Sequence, residues 1–294
     1  MKAAAFDYVR ATSVEEVCRL LADSGDEERK IIAGGQTLVP LMAMRMARPD
    51  MLIDINGIET LKGIRREGDI LVIGAGTRQA DVLASPEAAA AAPLLVEALS
   101  HVGHEQTRNR GTVGGSLANA DPTAEIGLAT LTLDGEVAAI GSAGARRLAA
   151  ASLFEAAMVT TLEIDEIITA LRLPVWTAPR TGHGFHETGI RHGDFAIAAA
   201  AVQLTLDEAG NCARIHIGVG GASPCPLRLT AVEEALTGAA LDDATIERET
   251  AAIPGMLHPE PDDHAGAEQR RRTALAMVRR AIRTARDRAR ADAA

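Results

Sequence analysis

Two glycine pairs with small polar neighbours are the features of this sequence best suited to chemistry. They stand in the segments AGGQT (33–37) and TVGGS (112–116). Backbone N–H groups in such turns form concave nests that bind anions, and small hydroxyl groups add further donors. Two nests on separate parts of the chain could hold the two phosphates of one pyrophosphate. Each pair could instead serve only a tight turn, because glycine adopts backbone conformations that other residues avoid.

Two carboxylates follow the second glycine pair. Asp121 and Glu125 lie four residues apart. They could act as general acid and base only if they face each other, which the spacing does not establish. A carboxylate just beyond a phosphate nest favours contact with ribose hydroxyls. Asp121 could equally stabilise the N-terminus of a helix through the helix dipole.

Several other motifs are absent from the sequence. It contains no P-loop pattern GxxxxGK[ST], no GxGxxG after a strand and no nucleophile elbow GxSxG. P-loop NTPases, Rossmann dinucleotide domains and hydrolases with that elbow are therefore not supported. The three cysteines form no CxxC pair, so this chain by itself holds no zinc ribbon and no iron–sulfur cluster. The HxxH spacing of His183 and His186 lacks a neighbouring Cys or matched carboxylate, and is not typical of a metal site.

Composition narrows the class of protein. The 294 residues suggest about two domains, and a net charge of −10 argues against nucleic-acid binding. Apolar residues make up 47% of the chain but aromatic residues only 2%, so the cores must be built from Ala, Val, Leu and Ile. The N-terminal MKAAAFDYVR turns polar too early for a signal peptide, and no apolar run is long enough to span a membrane. We expect a cytoplasmic protein.

The sequence of the N-terminal region predicts a βαβ-like unit. Ser13 and Glu16 form a capping box that predicts a helix through about Leu21. A strand over 30–33 leads into the first glycine pair, and a short helix follows from Leu38. A second strand over 51–55 ends at Asn-Gly. The first glycine pair is thus expected where a strand ends and a helix begins.

The middle of the chain predicts a strand over 70–73 and helices over 77–83 and 88–100. Pro93 inside the second of these marks either a bend or a helix start. The segment from His104 to Gly127 is polar, glycine-rich and without clear periodicity. We interpret it as a long ordered loop, and loops of that length are usually functional when they are ordered.

The C-terminal region begins after a strand over 166–173 and the linker PVWTAPRTG. Strands over 184–189, 195–206 and 213–219 predict an antiparallel sheet, and helices follow. The last helix, over about 268–290, carries four arginines on one face: Arg279, Arg283, Arg286 and Arg290. That face could be solvated or could contact a partner.

Five segments together carry a family resemblance. AGGQTLVPLM and QTRNRGTVGGSLANADPTAE closely resemble the two flavin-binding signatures of the FAD-containing medium subunit of molybdenum hydroxylases, the xanthine dehydrogenase and aerobic carbon monoxide dehydrogenase group. RHGDFAIAAAAV, IGVGGASPCPLR and DDHAGAEQRRRTALAMVRRAIRTA resemble the C-terminal domain of that subunit. The likeness covers essentially the whole chain in the same order.

The resemblance implies an α+β fold with two domains. A two-lobed FAD-binding domain of the PCMH type would occupy residues 1–175, with lobes of about 1–56 and 57–175. A smaller domain with an antiparallel sheet and helices, of the carbon monoxide dehydrogenase flavoprotein type, would occupy residues 180–290.

The resemblance also implies a set of FAD-binding positions and no catalytic side chain. The first glycine segment would wrap the pyrophosphate and part of the flavin, and the second would complete that grip. Glu125 falls where the family has an acidic residue that holds the adenosine ribose, and Ile168 matches an apolar position lining the cofactor. His186 falls where family members often carry a Lys near the flavin ring. The full set is Ile32, Ala33, Gly34, Gly35, Gln36, Thr37, Leu38, Thr112, Gly114, Gly115, Ser116, Asn119, Asp121, Glu125, Ile168 and His186.

The function implied is electron transfer within a complex. A large molybdopterin-binding subunit would hydroxylate the substrate, and a small subunit with 2Fe–2S clusters would pass the electrons to FAD held here, for release to an external acceptor. The complex would be a dimer of heterotrimers. Two other interpretations stay open: a free-standing FAD-dependent oxidoreductase, and a non-catalytic scaffold that has lost FAD. The C-terminal region looks too small to add a substrate domain of its own.

Overall fold

The computed structural model describes residues 2–191 and 193–292, whose strands form three sheets and one small hairpin. The strands are β1 (Asp7–Arg10), β2 (Arg29–Ile32), β3 (Met51–Asp54), β4 (Ile64–Glu67), β5 (Ile70–Gly74), β6 (Glu136–Gly141), β7 (Gly144–Ala149), β8 (Phe154–Ala156), β9 (Val159–Thr160), β10 (Ile167–Pro174), β11 (Thr181–Thr188), β12 (Ala198–Leu206), β13 (Cys212–Gly220) and β14 (Leu227–Arg228). The helices are α1 (Val14–Ala22), α2 (Leu38–Ala43), α3 (Gln79–Leu83), α4 (Pro86–Ala91), α5 (Pro93–His101), α6 (Glu105–Arg110), α7 (Val113–Asn119), α8 (Glu125–Thr132), α9 (Ala150–Leu153), α10 (Thr230–Leu236), α11 (Asp243–Glu249), α12 (Ile253–Met256) and α13 (Ala267–Ala291).

The first sheet is parallel, with strand order β1-β3-β2. Its helix α1 begins where the capping box predicts, because the Ser13 hydroxyl accepts a hydrogen bond from the Glu16 N–H at 3.2 Å. The Glu16 carboxylate accepts one from the Thr12 N–H at 2.8 Å. The predicted βαβ-like unit is confirmed, with β1 as an additional strand.

The second sheet is antiparallel, with strand order β4-β5-β10-β6-β7. Helices α5, α7 and α8 supply the residues that pack against one of its faces, and Leu and Ile side chains dominate this core. Helix α4 ends before Ala92 and Pro93 is the first residue of α5, so the proline marks a helix start, where its missing N–H costs nothing.

The prediction of a long loop over 104–127 was wrong. The segment contains α6, α7 and the start of α8. Helices of six and seven residues are too short to show a clear 3.6-residue period. Glycines at 111, 114 and 115 lower the local helix propensity, yet Gly111 and Gly114 are buried and held by packing.

The third sheet is antiparallel, with strand order β11-β12-β13-β14, and both faces of β12 are buried. Helix α13 covers one face, while the other packs against the core of the second sheet. Alanine and glycine permit this close packing: a Cβ added to Gly184 would lie 2.5 Å from the Ala281 carbonyl oxygen. Two predicted strand starts were wrong, because β11 begins at Thr181 and β12 at Ala198, leaving Phe195 78% exposed.

The arginines of α13 make contacts within the chain. Arg279 and Arg283 each pair with Glu247 of α11, at 2.5 and 2.7 Å. Arg286 pairs with Asp243, which is also on α11, at 3.1 Å. Most of the basic face is therefore engaged by acidic side chains of its own domain. Within the described residues, no helix has the length and apolar character needed to cross a membrane.

Candidate functional site

The two glycine pairs lie in adjacent segments of the structure. A Cβ added to Gly34 would overlap the Arg110 carbonyl oxygen and would lie 2.8 Å from Cα of Gly111. Gly34 is buried by this contact, so its missing side chain permits one backbone to pack on another. The structure thus brings together two segments that lie 78 positions apart in the sequence (112 − 34).

The first segment turns from β2 into α2. Ile32 ends the strand, Ala33 to Thr37 form the connection, and Leu38 begins the helix. Gly35 has a φ of +72°, a conformation that L side chains rarely adopt. Gln36 and Thr37 are exposed, so their side chains and the surrounding backbone are open to a ligand.

The second segment forms the first turn of α7. Thr112 is its N-cap, and its hydroxyl accepts a hydrogen bond from the Gly115 N–H at 3.1 Å. Gly114 is buried, because an added Cβ would lie 2.5 Å from Cβ of Ala75. Gly115 is exposed, and a Cβ there would lie 3.9 Å from Cβ of Ala33. The same Cβ would lie 2.8 Å from the Thr112 hydroxyl, so a side chain at Gly115 would disturb the N-cap of α7 and also approach the first segment.

A chain of side-chain hydrogen bonds surrounds this junction. Asn56 donates to the Ala33 carbonyl oxygen at 2.8 Å. Arg78 donates to the side-chain oxygen of Asn56 at 2.7 Å and also to the Arg110 carbonyl oxygen. The sequence showed Asn56 only as part of an Asn-Gly turn and gave no signal for Arg78, because the two side chains meet only in the folded chain.

A cleft of about 390 Å³ opens beside the first segment. It is lined by Tyr8, Ile32, Ala33, Gly34, Gly35, Gln36, Val39, Pro40, Asp54, Asn56 and Arg110. The Tyr8 hydroxyl donates to the Asp54 carboxylate at 2.5 Å. Burial alone would raise the pKa of Asp54, but hydrogen bonds from Tyr8 and Asn56 outweigh it and lower the pKa. Asp54 is thus held as an anion that already has protein partners.

A larger cleft of about 540 Å³ lies elsewhere, between α1 and the β6–β7 edge of the second sheet. Its lining includes Glu15, Arg146 and Arg147, and neither glycine pair contributes to it. Size alone therefore does not identify the candidate site, whereas the convergence of the two predicted segments does.

The predicted polar positions after the second glycine pair lie on or just beyond α7. Ser116 and Asn119 are half-buried on that helix, which ends where Ala120 takes a left-handed φ of +49°. The Asp121 carboxylate accepts hydrogen bonds from the Thr123 N–H at 2.9 Å and the Thr123 hydroxyl at 2.6 Å. Asp121 therefore caps its own turn, which is a local structural role.

Glu125 begins α8 and is half-buried close to other acidic side chains. Its pKa is raised to about 8, chiefly by burial and also by the nearby charges of Glu187 and Asp121, although a backbone hydrogen bond and the charge of His101 act in the opposite direction. His101 lies 3.4 Å from the Glu187 carboxylate, and this hydrogen bond raises the pKa of His101 despite burial. Glu125 can therefore hold a proton at neutral pH, which an exposed carboxyl would not.

Two predicted positions lie on other elements than the two glycine segments. Ile168 is 4% exposed on β10 and belongs to the core of the second sheet. His186 lies on β11, and its Nε2 is 2.9 Å from the Thr284 hydroxyl on α13. Burial lowers the pKa of His186, so its imidazole is neutral at pH 7. No cluster of three or more His, Cys, Asp or Glu among the described residues is placed to hold a metal ion.

Comparisons with protein families match nearly the whole chain. Residues 4–176 match the family described as the FAD binding domain in molybdopterin dehydrogenase. Residues 183–285 match the CO dehydrogenase flavoprotein C-terminal domain.

Individual relatives agree with these matches. The chain is 41% identical to the 6-hydroxypseudooxynicotine dehydrogenase complex subunit alpha of Paenarthrobacter nicotinovorans, over 99% of this chain and 97% of that one. It is 36% identical to the carbon monoxide dehydrogenase medium chain of Afipia carboxidovorans, over 97% and 98%. Among solved structures, carbon monoxide dehydrogenase from Hydrogenophaga pseudoflava superposes with a TM-score of 0.94 at 34% identity, covering 98% of this chain and 99% of that one. Quinoline 2-oxidoreductase from Pseudomonas putida 86 gives 0.93 at 32% identity, covering 98% and 99%.

Proposed function

This chain belongs to the family of FAD-binding medium subunits of molybdenum hydroxylases, and we propose that it holds FAD on the path between partner iron–sulfur clusters and an external electron acceptor. It is an oxidoreductase flavoprotein subunit.

The junction of the two glycine pairs carries the proposal. A pyrophosphate needs donors on both sides, and the backbone of the segment after β2 lies here against the backbone that leads into α7. Gly115 is exposed next to Ala33, so the start of α7 is open to a ligand where it faces the first segment. The proposed contacts are Ile32, Ala33, Gly34, Gly35, Gln36, Thr37, Leu38, Thr112, Gly114, Gly115, Ser116, Asn119, Asp121, Glu125, Ile168 and His186.

The contribution of the protein itself is to bind the cofactor and to set the electrostatic environment around it. When bound, FAD carries the redox chemistry, because it can take up electrons singly or in pairs and release them. The Gly34 and Gly35 amides would offset phosphate charge, with polar side chains added by Gln36, Thr37 and Ser116. The Gly114 and Gly115 N–H groups donate to the Ala75 carbonyl and the Thr112 hydroxyl, so the second pair would contribute the positive end of α7 and a close approach. Glu125 with its raised pKa can donate as well as accept a hydrogen bond at a ribose hydroxyl. We assign no side chain as acid, base or nucleophile in substrate oxidation.

We further propose the architecture of the complex. Residues 1–175 would form the FAD-binding domain, with lobes of about 1–56 and 57–175, and residues 180–290 the C-terminal domain. A large molybdopterin subunit and a small 2Fe–2S subunit would join it in a dimer of heterotrimers. Relatives named as medium or beta subunits of carbon monoxide, caffeine and glyceraldehyde dehydrogenases support a subunit role. Because those names differ in substrate, we place substrate choice in the partner.

The test starts from the full chain purified alone and then together with its partner subunits. We expect flavin absorbance at about 450 nm and released FAD identified by mass. Reduction of the bound flavin should require the partner subunits and their substrate. Small organic substrates added to the chain alone should leave the flavin oxidised. Direct reduction by such substrates would indicate a free-standing oxidoreductase. A folded chain that binds no FAD after reconstitution would indicate a scaffold.

A further inference from the structure

We propose that Asn56 and Arg78 are positioning residues that hold the two glycine pairs at a fixed separation. The inference rests on the proposed FAD site and adds two side chains that lie outside both glycine segments. The two residues affect FAD binding through the position of the glycine segments, and neither is assigned a contact with the cofactor.

Arg78 is anchored to the second glycine segment at both ends. Its backbone forms an isolated antiparallel bridge with Thr112. The flanking hydrogen bonds run from the Gln79 N–H to the Gly111 carbonyl at 3.0 Å and from the Val113 N–H to the Thr77 carbonyl at 3.1 Å. Its guanidinium donates to the Arg110 carbonyl oxygen. Arg78 therefore moves with the second segment.

Asn56 is anchored to the first segment. It follows β3, where its N–H donates to the Asp54 carboxylate at 2.8 Å. Its side-chain nitrogen donates to the Ala33 carbonyl oxygen at 2.8 Å, one residue before Gly34. Asn56 therefore moves with the first segment.

One hydrogen bond joins the two anchors. The Arg78 guanidinium donates to the side-chain oxygen of Asn56 at 2.7 Å, and both residues are half-buried. Together the bonds run from the Ala33 carbonyl through Asn56 and Arg78 to the Arg110 carbonyl, beside the backbone contact of Gly34. The planar guanidinium reaches two acceptors at once, which a lysine cannot do with the same geometry.

A ligand that contacts both segments binds most tightly when the two segments already stand at the right separation. We call Asn56, Arg78 and the hydrogen bond between them the clamp. If the clamp is removed, part of the free energy of FAD binding must be used to order the two segments, and the affinity for FAD falls. The fold of each sheet depends on other contacts, namely the three separate apolar cores. The inference therefore predicts weak FAD binding by a chain that is still folded.

The experiment is an FAD titration of the flavin-free full chain, followed by flavin fluorescence, for wild type, Asn56→Leu, Arg78→Met and the double variant. Each single change should raise the FAD Kd by about 10- to 100-fold, the range of one or two lost hydrogen bonds. The double variant should be no worse than the poorer single, because both changes break one connected unit. Thermal unfolding of the flavin-free variants should remain one cooperative transition, lowered by no more than the loss of one or two half-buried hydrogen bonds explains.

Matched controls and a milder variant complete the design. Arg147→Met repeats the arginine change and Gln269→Leu replaces a similar side-chain amide, both at exposed positions, and both variants should keep the wild-type Kd. Arg78→Lys retains the charge but reaches one acceptor at a time, and should raise the Kd by about fivefold even if Arg78→Met does not fold. A folded Arg78→Met or Arg78→Lys with wild-type Kd, or additive effects in the double variant, would overturn the inference. A wild type that binds no FAD would instead overturn the proposed function.

Discussion

Gly34 and Gly111 pack backbone against backbone: a Cβ added to Gly34 would lie 2.8 Å from Cα of Gly111. This contact joins the segment that follows β2 to the segment that opens α7. A glycine pair that the sequence suggested for ligand approach thus also serves contact within the chain. The two roles are compatible, because Gly34 meets the backbone while Gly115 stays exposed.

The first prediction concerns Gly34→Ala. The added methyl group meets main-chain atoms, which cannot rotate away, so we expect the free energy of unfolding to fall by about 1–3 kcal/mol. FAD affinity should fall as well, since the two segments are forced apart. Urea unfolding and FAD titration measure the two effects.

Gly255→Ala is the control for that variant, because a Cβ at Gly255 meets nothing within 4 Å. It should leave both quantities near wild type. Equal stability and equal FAD affinity for Gly34→Ala and wild type would show that the contact tolerates a side chain.

The second prediction follows from the raised pKa of Glu125, which is about 8 against an ordinary value of 4.5 for an exposed glutamate. Between those pH values the folded, flavin-free chain keeps a proton that the unfolded chain releases. The folded state therefore binds more protons, and the free energy of unfolding falls as pH rises through this window. Glu125→Gln removes that effect and should be more stable than wild type at pH 8, by on the order of 2–4 kcal/mol.

Urea unfolding at pH 5, 6.5 and 8, chosen to cover about that window, measures the effect. The exposed Glu155→Gln is the control and should follow wild type. Stability curves for Glu125→Gln and wild type that run parallel across the whole range would contradict the assignment of a buried, protonated carboxyl.

The third prediction concerns Arg270, which is 6% exposed on α13. Its guanidinium donates to the carbonyl oxygens of Ile197 and Gly221, at 2.7 and 3.0 Å, and pairs with Asp262 at 2.5 Å. Arg270→Met leaves those carbonyls without their donor, and should lower the free energy of unfolding by about 2–4 kcal/mol.

Thermal unfolding and amide hydrogen exchange at the start of β12 measure this loss. Arg272→Met is the matched control, because Arg272 is exposed on the same helix. We expect that variant to unfold like wild type. If both methionine variants lost the same stability, the buried hydrogen bonds of Arg270 would not be the cause.

The fourth prediction concerns the basic face of α13. Arg283 is partly exposed and pairs with Asp243 and Glu247 at 3.1 and 2.7 Å. Such surface pairs contribute little, so Arg283→Gln should cost under about 1 kcal/mol, and less in high salt. Co-purification with the partner subunits should be unchanged. Loss of the partners without loss of stability would make this face a subunit contact.

Sequence patterns predicted the elements whose signals are local. The capping box at Ser13 placed α1, the apolar run over 51–55 placed β3, and the amphipathic period placed α13. The glycine pairs marked both halves of the candidate site, and the family resemblance gave the domain order and the cofactor.

Other features depend on packing that no short window contains. The short helices over 104–127 carry glycines that propensity disfavours, and burial of Gly111 and Gly114 decides their structure. Strand β12 is apolar on both faces although its sheet is antiparallel, because α13 and the second sheet's core cover it on opposite sides. The clamp of Asn56 and Arg78 joins residues 22 positions apart through side chains alone.

The most direct test of the central claim compares FAD binding by wild type, Gly115→Asp and Gly255→Asp, using visible spectra and mass identification of the released cofactor. In Gly115→Asp the added side chain starts between Thr112 and Ala33, whereas in Gly255→Asp its Cβ meets nothing within 4 Å. We predict FAD in wild type and in Gly255→Asp, and none in a folded Gly115→Asp. FAD bound equally by all three, or by none, would contradict the account of the two glycine pairs as one cofactor site.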